Sequence, residues 1–82
     1  MNDKTIKFNI VKDRDAEIKQ IVAEVYNALS EKGYNPINQL VGYILSEDPT
    51  YITTHGNART LIRSVDRDEL LHALIREYLL VE

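Results

Sequence analysis

The sequence predicts an all-α protein: a compact bundle of four to five short helices behind an N-terminal arm, assembled as a homodimer. Three observations point there. Apolar residues recur at helical spacing from residue 18 to the C-terminus, and residues that start and stop helices stand between the apolar stretches. Only one short segment alternates with a period of two, too little strand for a sheet.

That segment is Thr5 to Val11, where Ile6, Phe8 and Ile10 alternate with Thr5, Lys7 and Asn9. Read as a strand it has no partner elsewhere in the chain, and a lone strand leaves its backbone groups unpaired. Pairing across a dimer axis, lying along a helical core and staying mobile are the three options. Residues 1–12 are therefore read as an arm and residues 13–82 as a single helical domain.

The first helix is predicted from about Asp15 to Lys32, with Ile18, Ile21, Val22, Val25, Tyr26 and Leu29 on one stripe. Asp13 or Asp15 is expected to cap its start. Gly33 is expected to end it in a left-handed conformation, with Tyr34 folding back toward Leu29 in a Schellman arrangement. Asn35 then caps a second helix that has Pro36 at its first position and Ile37, Leu40, Val41, Ile44 and Leu45 as its stripe. Gly42, inside that helix, suggests close approach of another backbone, because an unneeded helical glycine costs about 1 kcal/mol. Ser46 to Pro49 stops the helix.

Thr50 to Gly56 reads as a connector anchored by Tyr51 and Ile52. A third helix is predicted from Asn57 to Val65, with Ala58, Leu61, Ile62 and Val65 inward. A fourth starts at Asp66, where Asp66 and Glu69 resemble a capping box, and Leu70, Leu71, Leu74, Ile75, Tyr78 and Leu79 form its expected buried face. Apolar faces on all four helices exceed what one small bundle buries, which is the reason to expect a dimer.

Bulk properties narrow the function. A chain of 82 residues holds one domain and buries only ~60% of its unfolded surface as a monomer. It has no cysteine, so disulfides and thiolate metal sites are excluded. The net charge of −3 offers no global field for DNA or RNA. No apolar run is long enough to span a bilayer, and Met1 to Phe8 lacks the apolar core of a signal peptide, so the cytoplasm is the expected location without membrane insertion.

Catalytic, cofactor and metal sites are not expected. The three glycines stand apart, so there is no phosphate-cradling loop. His55 and His72 are too far apart for a helical metal pair. Asp13 to Glu17 lacks the glycine and terminal glutamate of a calcium loop. Asp66, Asp68 and Glu69 sit where a helix start favours negative charge, which explains them without acid–base chemistry. His72 reads as a partly exposed helix residue and His55 as a turn or capping residue. Arg59, Arg63 and Arg67, four apart, line one face if the helix continues through them, and arginine suits bidentate capture of phosphate or carboxylate. Spacing alone favours a solvated, ion-paired face, and a helix break at Asp66 would swing Arg67 away.

The block Glu31-Lys32-Gly33-Tyr34-Asn35-Pro36-Ile37-Asn38-Gln39, followed by Val41-Gly42-Tyr43, then Asp48-Pro49-Thr50-Tyr51-Ile52, Ala58-Arg59 and Asp66-Arg67-Asp68-Glu69-Leu70, resembles the IreB family, also described under the name ReoM. With Asp3-Lys4-Thr5 at the front, the resemblance covers nearly the whole chain. It implies a small helical homodimer of Gram-positive bacteria without enzymatic activity. It also implies phosphorylation by a membrane Ser/Thr kinase with PASTA domains, opposed by a cognate phosphatase. The implied role is control of peptidoglycan synthesis and cell-wall antibiotic resistance, in part through turnover of a pathway enzyme by Clp protease.

Thr5 matches the family's phosphoacceptor threonine. Some members carry a second threonine just ahead of it, where this chain has Met1, Asn2 and Asp3. Arg59, Arg63 and Arg67 match the family's functional arginines, and the resemblance turns the preference toward a partner or phosphate contact for them. Thr53-Thr54-His55 stands where many members have Pro-Arg-His, so one arginine is absent at Thr54. Phosphate on Thr5 would be captured by these arginines, folding the arm over a partner surface, or would release the arm by added charge. The competing classes are a helix–turn–helix nucleic-acid binder and an unswitched structural adaptor.

Overall fold

A computed structural model describes the backbone of residues 3–79 and the side chains of residues 13–79. Four α-helices follow in order: α1 (Asp3–Glu31), α2 (Pro36–Ser46), α3 (Ala58–Arg63) and α4 (Arg67–Leu79). Two 3-10 turns, Pro49–Tyr51 and His55–Asn57, link α2 to α3. No strand occurs among the described residues.

The segment Thr5 to Val11, expected as a strand, is helical. It prolongs α1 to 29 residues, so this helix is long rather than short and the arm is its continuation. The physical reason is backbone hydrogen bonding. A strand without a partner satisfies none of its groups, whereas extending an existing helix adds one bond per residue without a new nucleus. Asp13 and Asp15 consequently lie inside α1 and cap nothing. At 1.5 Å per residue α1 is roughly 43 Å long, close to the 48 Å long axis of the molecule.

The end of α1 follows its sequence. Gly33 has φ +82°, Tyr34 N–H donates to the Leu29 carbonyl at 3.0 Å and Gly33 N–H to the Ser30 carbonyl at 3.0 Å, which together make the Schellman pattern. Asn35 then caps α2, its side-chain oxygen accepting from Asn38 N–H at 3.1 Å, with Pro36 at the first position. Glu47 ends α2 in the left-handed region, and its N–H donates to the Tyr43 carbonyl at 2.9 Å.

The core is one cluster. Ile18, Ile21, Val25, Ala28 and Leu29 of α1 meet Tyr43 of α2, Ile52 of the connector, Ala58 and Ile62 of α3, Val65, and Leu70 and Ala73 of α4. Val25, Leu29, Ile52, Ile62 and Leu70 are fully enclosed. Ile52 anchors the connector as expected, and α3 is shorter than its apolar pattern. The fourth helix departs most from expectation. Only Leu70 and Ala73 turn inward, while Leu71, Leu74, Ile75, Tyr78 and Leu79 are exposed. Ile37, Val41 and Leu45 of α2 are exposed too.

Gly42 is approached closely, by a ring rather than a backbone. A Cβ there would overlap the Tyr51 side chain, 2.9 Å from its Cζ. The Tyr51 carbonyl accepts from Gln39 Nε2 at 2.9 Å, so the 3-10 turn is tied back onto α2. Glycine to alanine inside an unhindered helix stabilises by about 1 kcal/mol. Here Gly42→Ala is expected to lower stability by about 1–2 kcal/mol through overpacking, and to stabilise when combined with Tyr51→Ala. Urea unfolding of the four proteins of the cycle reads the sign reversal.

Candidate functional site: the arginine surface and the α1–α4 charge pairs

The site residues expected from sequence do not form one row. Thr5 lies in the first turn of α1, and its side chain is outside the described residues. Arg59 sits in α3, half-buried, with Nε donating to the Ile52 carbonyl at 2.8 Å. Its charge also helps hold the Asp48 carboxyl below the ordinary range, although bonds from the Thr50 hydroxyl and N–H do most of that. Arg63 is exposed in the last turn of α3 and makes no ion pair among the described residues.

Arg67 is separated from the other two by a helix break. α3 ends at Ser64, whose N–H donates to the Leu61 carbonyl, and α4 begins at Arg67. The turn between them carries Arg67 toward the end of α2. There it donates to the Ile44 carbonyl and pairs with Glu47 at 2.6 Å. A helix C-terminus presents unpaired carbonyls, and a guanidinium satisfies them while opposing the negative dipole end. Arg59 and Arg67 are thus engaged in holding the chain together, and Arg63 alone faces solvent without a partner among the described residues.

Sequence spacing misses the strongest charge geometry. Arg14 of α1 binds Glu69 of α4 in bidentate fashion, at 2.8 and 3.0 Å, and also reaches Glu17 at 3.1 Å. Arg76 of α4 binds Asp15 of α1 in the same way, at 2.7 and 2.8 Å. Lys19 pairs with Glu77 at 2.8 Å. These pairs hold the Asp15 and Glu69 carboxyls below their ordinary values, chiefly through the bonds from Arg76 and Arg14, and push both arginines up. Partners more than 50 residues apart leave no periodic signal. Beside the pairs lies an apolar cleft of about 160 Å³, walled by Ile18, Val22, Ala73 and Leu74.

His55 Nε2 lies 3.1 Å from Glu31 Oε2 and links the connector to the end of α1. His72 Nδ1 lies 2.7 Å from the Asp68 carbonyl within α4. Thr54 is exposed and offers no hydrogen bond as a cap. Among the described residues no polar side chain is buried, no group of three or more metal-ligating side chains gathers, and no helix is long and apolar enough to cross a membrane.

Two outcomes follow from the bonding. Arg59→Ala and Arg67→Ala are each expected to cost about 1–2 kcal/mol, because they release carbonyls and packed stems, whereas Arg63→Ala stays within about 0.5 kcal/mol of wild type. Chemical denaturation separates the two classes. For Asp15 and Glu69, lowered folded-state values mean that their stabilisation is complete above the ordinary values of 3.8 and 4.5. It is lost as pH falls through the lower folded-state values. Facing them are Arg14, Arg76, Lys19, Glu17 and Glu77. Urea midpoints measured from about pH 6 to about 2.5 should fall less steeply in Arg76→Ala, which has no Asp15 pair to lose.

The family model described as "IreB regulatory phosphoprotein" matches residues 3–80. A relative from Acetivibrio thermocellus, described as a UPF0297 protein, is 58% identical over 78 residues, covering 95% of this chain and 87% of the relative. With nearly its full length matched and more than half of the aligned residues identical, this chain belongs to the IreB regulatory phosphoprotein family.

Proposed function

We propose that this protein is a non-enzymatic cytoplasmic regulator of peptidoglycan synthesis and cell-wall antibiotic resistance, switched by phosphorylation of Thr5. The observation that carries the reading is the match to a family of regulatory phosphoproteins from residue 3 onward, which includes the Thr5 region. A PASTA-domain Ser/Thr kinase transfers the phosphoryl group from ATP to Thr5, a cognate phosphatase removes it, and Clp-dependent proteolysis carries the output. The working unit is a homodimer. The exposed apolar residues Ile37, Val41 and Leu45 on α2, a helix without a single charged residue, and Ile75 and Tyr78 on α4 support that assembly.

Thr5 stands nine residues ahead of Arg14, roughly 13 Å along α1 from the first ion pair with α4. A phosphate there adds about −1.5 to −2 charges in the first turn of a helix, where the dipole favours negative charge. Phosphorylation therefore firms the start of α1 and changes the charge of its first turn. Capture by Arg59 or Arg67 has less support, since both guanidinium groups are engaged with carbonyls, and Arg63 is the remaining cation of the three. The same engagement weakens a nucleic-acid-binding reading, which needs such side chains on phosphates.

The test is intact-mass and phosphosite analysis after incubation with the PASTA-type kinase of the same organism. One phosphate on Thr5, absent from Thr5→Ala, is the expected result. Equal uptake by Thr5→Ala would sink the assignment of the switch.

A further inference from the structure

The α4 helix carries an apolar face that its own chain leaves uncovered. Leu71, Leu74, Ile75 and Tyr78 recur at i, i+3, i+4 and i+7, so they share one side of the helix. All four are exposed, and Tyr78, at 89%, is the most exposed large apolar residue among those described. The charged residues of the same stretch, Arg76 and Glu77, turn toward α1 instead.

Along one edge of this face, between α4 and α1, lies the cleft walled by Ile18, Val22, Ala73 and Leu74. Its volume of about 160 Å³ suits one aromatic ring, since an apolar cavity of about 150 Å³ takes up benzene. Asp15, Lys19 and Glu77 complete the lining, so apolar walls meet a charged rim. That combination fits tyrosine, whose ring fills an apolar slot and whose hydroxyl needs a polar partner. Glu77 bonds Lys19 through Oε1, which leaves Oε2 to accept from a phenol. Tyr78 stands one turn beyond Leu74 on the same face and does not enter the cleft of its own chain.

We infer that Tyr78 of one copy of this chain fills the α1–α4 cleft of a second copy, whose own Tyr78 fills the cleft of the first. The inference rests on the homodimer proposed above and names where its copies meet. Set two α4 helices antiparallel about a two-fold axis between Leu74 and Ile75. Leu74 of each copy then faces Ile75 of the other, and Leu71 faces Tyr78. In that register Tyr78 lies three residues, about 4.5 Å along the helix, from the Leu74 wall of the opposite cleft, within reach of its side chain. The exchange is reciprocal, so the assembly closes at two copies. An uncharged seam also matters, because each copy carries a net charge of −3 and would repel another across an acidic face.

Sedimentation equilibrium of the full chain at micromolar concentration tests this, with helicity by circular dichroism as the control for folding. Wild type should be a dimer. Tyr78→Ala should weaken the dimer about tenfold or more at unchanged helicity, and Tyr78→Phe, which keeps the ring, should weaken it less. In an equimolar mixture of isotope-labelled and unlabelled chains, filtered NOEs should join the unlabelled Tyr78 ring to labelled Ile18 and Val22 methyls. A monomeric wild type would overturn the homodimer reading and this inference with it. A dimer that keeps its affinity in Tyr78→Ala, or whose Tyr78 ring shows no such NOE, would overturn this inference alone.

Discussion

One stripe of α1 carries the fold. Ile18, Ile21, Val25, Ala28 and Leu29 are the surface on which the other three α-helices close, and no other helix among the described residues is as long. In a domain of this size the enclosed apolar area barely offsets the entropy of ordering the chain. The stripe must therefore be straight and uninterrupted over several turns, and a single continuous helix provides that. The Schellman turn at Gly33 and the Asn35 cap then reverse the chain within four residues, so that Tyr43 returns onto the stripe. Had Gly33 been a residue that resists φ +82°, α2 would leave in another direction and Tyr43 would miss its place.

Local chemistry explains which parts of this were legible in the sequence. Glycine at a helix end and Asn-Pro at a helix start act through bonds within a few residues, so their meaning is the same in any fold. The stripe of α1 from Ile18 to Leu29 is legible for a related reason: its period is internal to the helix. Thr5 to Val11 misleads because alternation describes side chains alone. The backbone has no partner strand, and an adjacent helix decides its conformation. Of the six apolar residues expected to face inward on α4, Leu70 does so and the other five mislead. They outnumber the room left beside a core already closed by Ile52, Ile62 and Leu70.

The candidate site was legible only in composition. Spacing alone would put the three arginines on one face, but the break after Ser64 separates Arg67 from Arg59 and Arg63. The engagement of Arg59 with Ile52 and of Arg67 with Ile44 has no sequence signature. The same holds for Arg14 with Glu69. Thirteen acidic residues are available, and only the packing of α4 on α1 selects one of them. Long side chains with fixed forks suit such selection, because a bidentate pair fixes orientation as well as distance.

The exposed face of α4 is a consequence of these pairs. Successive residues of a helix are about 100° apart, so turning Leu71 onto α1 would rotate Leu70 out of the core. It would also carry Glu69, Arg76 and Glu77 away from Arg14, Asp15 and Lys19. Burial and charge pairing therefore agree on one rotation of the helix, and that rotation leaves Ile75 and Tyr78 outward. A polar substitution at Tyr78, 89% exposed, would cost the isolated body little that its own packing supplies. Among the described residues nothing explains the apolar character of Tyr78, whereas an apolar contact outside the chain gives it one.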